Sequence, residues 1–238
     1  MLEEFMKPTP RGLKALNWIT LALLVVATYL VLSFAPRETT MGEVQRVFYF
    51  HVAAGWTGAL GFLITAVAGG IYLATKDRKW DQIALASVEI GIVFMFINIV
   101  TGSIWARPIW NTWWTWDPRL TTATIMELAY IAYLMLRQGI EDPDRRARFG
   151  AVYGIVAFVS VPLTFLSIRI FRTIHPVVIG GSDPGAEGTF QMVPDMRVAF
   201  FFSLVTFTFV FITLLWHRYR LQQLSDEVEM KKMEALSA

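Results

Sequence analysis

Between positions 105 and 121 the chain reads W-A-R-P-I-W-N-T-W-W-T-W-D-P-R-L-T, which places five of its nine tryptophans in one short segment. Trp105, Trp110, Trp113, Trp114 and Trp116 offer wide, rigid, apolar faces with an N–H at the rim, suited to stacking on a flat ligand. Arg107 and Arg119 flank the cluster, and guanidinium groups pair bidentately with carboxylates. A flat apolar ligand with acidic side arms would satisfy both halves of the pattern. Sugars also stack on tryptophan, so composition alone leaves these two ligand classes open. The plainer alternative is an aromatic belt at a membrane interface. A belt spreads tryptophan over many helix ends, whereas here the density sits in one segment.

The histidines narrow the chemistry. There are three, His51, His175 and His217. Imidazole is a common axial ligand of haem iron, and two imidazoles from different helices can clamp iron from both sides. A lone histidine at a helix end is more often a hydrogen-bonding residue, so the weight rests on whether His51 and His175 share a face with the tryptophans. Asp117 is placed to orient the segment by accepting backbone or indole hydrogens. There is no cysteine, which excludes disulfides, iron–sulfur ligation and covalent haem attachment through a C-x-x-C-H motif. No Walker A motif, Ser–His–Asp arrangement or glycine-rich nucleotide loop is present, so nothing points to a self-contained hydrolase.

The elements that position these residues follow from hydropathy. The 238 residues are 55% hydrophobic and 17% charged, with a mean hydropathy of +0.49, a composition suited to a bilayer. A crossing takes roughly 20 apolar residues, and with no water to satisfy the backbone such runs must be helical. Six stretches reach that length: about 16–35, 50–74, 83–105, 121–137, 150–170 and 197–216. The fold class expected is an all-α integral membrane protein of six transmembrane helices forming one domain over residues 1–238. Its tryptophan-rich loop, 105–121, joins spans 3 and 4, and its tail covers 221–238. With the N-terminus inside, fourteen basic residues fall in inner segments and seven in outer ones. The positive-inside rule then places both termini in the cytoplasm. The first span is too long for a signal-peptide core and reads as a retained helix.

Under that topology His51 lies at the outer end of span 2 and His175 just beyond the outer end of span 5. The tryptophan loop shares their face, and His217 lies at the opposite one. Gly55, Gly58 and Gly61 at three-residue spacing predict close helix packing. Pro162 predicts a kink in span 5. Glu89 and Glu127 are acids inside spans, where such residues are costly and often functional; Glu127, nearer the outer face, could pair with an arginine there. The run Gly180-Gly181-Ser182-Asp183-Pro184-Gly185 predicts flexibility in the longest outer loop. The tail from Leu221 predicts a solvated helix.

The segment 105–121 resembles the WWD domain of haem-handling membrane proteins, and length and helix number resemble the CcmC family of the cytochrome c maturation system. F-Y-F-H-V at 48–52, T-G-S at 101–103 and T-I-H at 173–175 extend the resemblance over nearly the whole chain. It implies that His51 and His175 are axial ligands of the haem iron. It implies that Trp105, Trp110, Trp113, Trp114, Trp116, Asp117, Arg107 and Arg119 cradle haem b, bound non-covalently as cargo at the outer face of a bacterial inner membrane. The cargo would pass to the periplasmic chaperone CcmE, with CcmD and the CcmAB ATPase transporter as partners. Two departures stand out: Asn111 occupies a position where the family often has glycine, and Ile170–Thr173 lacks the tryptophans expected before this histidine. Haem lyases of the same superfamily are usually longer and richer in helices and histidines. A b-type cytochrome that carries electrons across a membrane usually needs two haems and four histidine ligands. A sugar-binding membrane protein would bind no haem.

Overall fold

The computed structural model describes residues 8–38, 41–176 and 192–237. The glycine-rich run 180–185 lies outside the described residues. Everything regular among them is helical: α1 (Arg11–Tyr29, continued by a wider π turn over Leu30–Phe34), α2 (Gln45–Thr75), α3 (Arg78–Trp110), α4 (Pro118–Gln138), α5 (Pro143–Phe158), α6 (Ser160–Ile170) and α7 (Pro194–Ser237).

Five stretches are long and apolar enough to cross a membrane: Arg11–Phe34, Gln45–Thr75, Arg78–Trp110, Pro143–Ile170 and Pro194–Ala235. Their outward surfaces carry Trp18, Val25, Phe96 and Val156 in the open, as lipid-facing helices do. The sixth expected span, α4, has 21 residues, about 32 Å at 1.5 Å per residue. It is less apolar because Thr121, Thr122, Thr124, Glu127 and Arg137 interrupt it.

Local chemistry sets the boundaries. Asp77, Asp117 and Asp142 cap α3, α4 and α5, each carboxylate accepting a backbone N–H of the first turn, and Pro118 and Pro143 occupy the first helical positions. Lys76 ends α2 in the left-handed conformation, and Asp77 opens α3 at once, so α2 and α3 form a tight antiparallel hairpin. The glycines of α2 pack that hairpin: a Cβ on Gly61 would lie 2.7 Å from the Ser87 carbonyl, nearer than any side chain tolerates. The irregularity in span 5 comes one turn before Pro162, at Val159 between α5 and α6. The proline ring lacks the N–H that would bond to the Phe158 carbonyl and crowds it.

Away from the tryptophans, the bundle end is bolted by ion pairs. Arg137 on α4 donates to both carboxylate oxygens of Asp81 on α3, at 2.5 and 3.0 Å, with both side chains nearly buried. Glu89 on α3 pairs with Arg218 on α7, Nη2 lying 2.9 Å from Oε1. His217 bonds Asn17 of α1 at 2.9 Å. Among the described residues Glu127 meets no arginine, contrary to expectation: both its carboxylate oxygens are buried without a hydrogen-bond partner there. The tail from Leu221 is helical and largely exposed, continuing α7 without a break over its 44 residues.

Candidate functional site

The tryptophan segment is less of a loop than its sequence predicts. Helix α3 continues through Pro108 to Trp110, leaving only 111–117 outside helices. Pro108 removes one hydrogen bond near the end of the helix, where the cost is least. Asn111 then ends α3 at φ 55°, a left-handed conformation that asparagine tolerates where most side chains do not. The place where the family often carries glycine therefore keeps a glycine-like backbone. The Asn111 side chain accepts a hydrogen bond from Arg107.

Trp105 and Trp110 thus project from the last turns of α3, packed edge to face at 5.2 Å between ring centres. Trp110 lies 6.5 Å from the His175 ring. Trp114, which packs edge-on against Trp116, joins them around a cavity of about 380 Å³ whose walls also include His51, Arg119 and His175. That volume is typical of small-molecule sites, roughly 300–1,000 Å³. Trp113, Trp116 and Arg107 are exposed and are absent from the cavity lining, as is Asp117. Six of the ten expected site residues are therefore brought together. Of the other four, Arg107 is engaged with Asn111 and Asp117 acts from behind the wall.

His51, in the second turn of α2, is held from α3. Its Nδ1 lies 2.9 Å from the Asn98 carbonyl and 3.3 Å from Thr101 Oγ1. The Asn98 amide donates to the His51 carbonyl at 2.8 Å, and its Nδ2 lies 3.4 Å from Nε2. The ring fits because residue 102 is glycine: a Cβ there would lie 2.8 Å from His51 Cε1. Asn98 and Gly102 were the residues least visible in sequence, although the T-G-S run pointed to the second.

His175 follows α6 on a non-helical segment. Thr173 Oγ1 donates to Asp117 Oδ2 at 2.7 Å, and the Ile174 N–H donates to Oδ1 at 3.1 Å. The same carboxylate accepts the Arg119 N–H at 2.9 Å as the cap of α4. His175 Nδ1 lies 3.2 Å from the Pro176 carbonyl. Burial, then the positive charge of Arg119 and the neighbouring His51, push the His175 pKa from 6.5 down to about 3, so its imidazole is neutral at physiological pH. Arg119 itself donates to the Thr164 carbonyl of α6 and lies over the Phe165 ring at 4.6 Å.

The donor set suits a bis-imidazole iron site. On both histidines Nδ1 faces a backbone carbonyl, the arrangement in which Nδ1 carries the proton and Nε2 keeps the lone pair a metal needs. Trp105 and Trp114 bury indole N–H groups that have no hydrogen-bond partner among the described residues, and both line the cavity. Imidazoles, apolar ring faces, indole N–H groups and an arginine are the chemistry that a flat, apolar, metal-bearing molecule with acidic arms would call on. Among the described residues no cluster of three His, Cys, Asp or Glu could hold a free metal ion.

Residues 2–234 match the family described as heme exporter protein C. The heme exporter protein C of Haemophilus influenzae is 30% identical over 226 residues, covering 92% of this chain and 88% of the relative. That of Escherichia coli K12 is 30% identical over 208 residues, 85% and 81% respectively. The protein of that name from Bradyrhizobium diazoefficiens is 29% identical over 237 residues, 98% and 85%.

Proposed function

The chain belongs to the heme exporter protein C family, and on that premise we propose that it holds haem b non-covalently in the tryptophan-walled cavity and releases it to a CcmE-type chaperone. Family membership makes it a multi-pass membrane component of haem handling for cytochrome c maturation, not an enzyme. The observation that carries the finer reading is the convergence of His51 and His175 on one cavity, each with Nδ1 against a carbonyl.

In this reading His51 and His175 ligate the iron through Nε2. Trp105, Trp110 and Trp114 cover the macrocycle and exclude water. Arg119 and the two unpaired indole N–H groups bind its acidic arms. Trp113 and Trp116, exposed beside the cavity, form the surface on which the chaperone docks, and Arg107 borders it. The basic bias of the segments at the ion-paired end supports a reading in which that end and both termini face the cytoplasm, α4 makes the sixth crossing, and the cavity opens on the outer face of a bacterial inner membrane. CcmD and the CcmAB transporter complete the assembly.

Transfer is the direct test. The haem-loaded chain is mixed with purified CcmE-type chaperone, and haem is followed by absorbance and haem stain after the two are separated. Haem should move to the chaperone from the intact chain, with slower transfer from Trp113→Ala and Trp116→Ala. Retention of all haem by the intact chain under every energised condition would overturn delivery while leaving haem binding intact.

A further inference from the structure

The two imidazoles are seated in different ways, and we propose that Asp117 is a positioning residue that governs how readily His175 leaves the iron, making His175 the ligand that gives way when cargo is handed on. This rests on the haem reading above.

His51 has little freedom to leave. It belongs to a helix of 31 residues, and its ring is confined between the Asn98 carbonyl, Thr101 Oγ1 and the bare backbone of Gly102. Withdrawing it would mean turning or shifting α2 against α3 along their closest contact. His175 stands beyond the end of α6, where Phe171 is already extended at φ −114°, ψ 150°. Among the described residues, the hydrogen bonds that tie 173–175 to another element both end on Asp117, from Thr173 Oγ1 and from the Ile174 N–H. Thr173 Oγ1 also accepts the His175 N–H at 3.0 Å, so one hydroxyl couples the carboxylate to the backbone of the ligand residue.

Asp117 is therefore the one carboxylate shared by the cap of α4, the end of the tryptophan segment and the His175 strap. Its bonds are charge-assisted and stronger than neutral ones, yet they can break without unfolding a helix. The step they control is a ligand exchange. The iron–Nε2 bond of His175 breaks with the lone pair staying on the imidazole, and a lone pair from an incoming donor, such as an imidazole of the acceptor protein, takes the vacated position. The iron keeps its oxidation state and no proton is transferred.

The test uses the full chain loaded with haem, reduced with dithionite and mixed with saturating carbon monoxide, which binds only after an imidazole has left. Thr173→Val deletes the bridging hydroxyl and spares the α4 cap; Asp117→Asn weakens every bond to the carboxylate; Thr173→Ser keeps the hydroxyl. Amide hydrogen exchange at Ile174 in the haem-free protein reports the strap independently. Thr173→Val and Asp117→Asn should each speed carbon monoxide binding roughly tenfold, the factor for losing about one hydrogen bond of this kind. Thr173→Ser should stay near wild type, and Ile174 exchange should accelerate in Asp117→Asn. Faster Ile174 exchange with unchanged carbon monoxide kinetics would overturn the proposal, because the strap would then be loosened with no effect on the ligand. A wild-type chain that forms no low-spin haem at all would overturn the haem reading itself, a different and recognisable failure. Should Asp117→Asn not fold, Thr173→Val decides the matter alone.

Discussion

At the ion-paired end of the bundle Arg137 meets both oxygens of Asp81, Arg218 meets Glu89 and His217 meets Asn17. At the tryptophan end Trp105 and Trp114 bury indole donors that meet no acceptor among the described residues, and two imidazoles line a shared cavity. A buried polar group without a partner costs roughly 1–3 kcal/mol, and such groups occur elsewhere in the bundle too, at Tyr130, Tyr133 and Glu127; what sets the tryptophan end apart is that its unpaired indoles line a cavity. The contrast is between an end whose buried charges are paired across helices and an end whose imidazoles and indoles border a cavity.

The largest expected effect lies at the paired end. Arg137→Ala should cost about 3–5 kcal/mol, because Asp81 is left buried and uncompensated. Thermal unfolding in detergent measures it, and the haem spectrum of the folded fraction should keep its wild-type position. A shifted spectrum would mean that the two ends are coupled and the comparison is wrong.

Gly102→Ala attacks the His51 seat, where the added methyl would lie 2.8 Å from the ring. Overpacking of this sort costs about 1–3 kcal/mol, and part of the haem should shift from low-spin to high-spin. Unchanged spin state would show that the ring is free to yield. Smaller again, Trp105→Phe and Trp114→Phe remove donors that no group among the described residues uses. Each should weaken haem binding by up to about tenfold while leaving the haem-free melting temperature nearly unchanged. A large drop in melting temperature would assign those indoles to the fold.

Acidity sharpens the comparison further. His175 resists protonation when folded, its pKa lying near 3 against 6.5 when unfolded. The unfolded chain therefore takes up a proton that the folded chain refuses. The stability of the haem-free protein from this group is complete above pH 6.5 and is lost as pH falls from there toward 3. Unfolding of wild type and His175→Ala between pH 7 and 5 measures it, with the variant losing less. Parallel losses would place the titration elsewhere.

Much of the site was legible in the sequence because it depends on residue type and local density. The tryptophans announce themselves, and alternating helices put His51, His175 and residues 105–121 at one end. The glycines of α2 announce a close helix contact. What stayed hidden depends on contacts between residues far apart in the chain. No periodicity reveals that Asn98 holds His51, that Asp117 reaches Thr173, or that Glu89 finds Arg218 rather than serving the cavity. The helix through Pro108 was obscured because proline reads as a stop, although one lost hydrogen bond in the last turn is a small penalty. The inward and outward division of Trp105, Trp110, Trp113, Trp114 and Trp116 depends on where α3 ends, which Asn111 settles by adopting a left-handed backbone.

Joint binding of haem iron by His51 and His175 is read most simply from visible spectra of the detergent-purified chain with and without added haem. Wild type is compared with His51→Ala, His175→Ala and, as a control from the paired end, His217→Ala. A low-spin Soret band is expected in wild type and His217→Ala, and it should weaken or shift in both of the other variants. No haem in the wild type after reconstitution, or a low-spin band that survives both substitutions at the cavity, would contradict it.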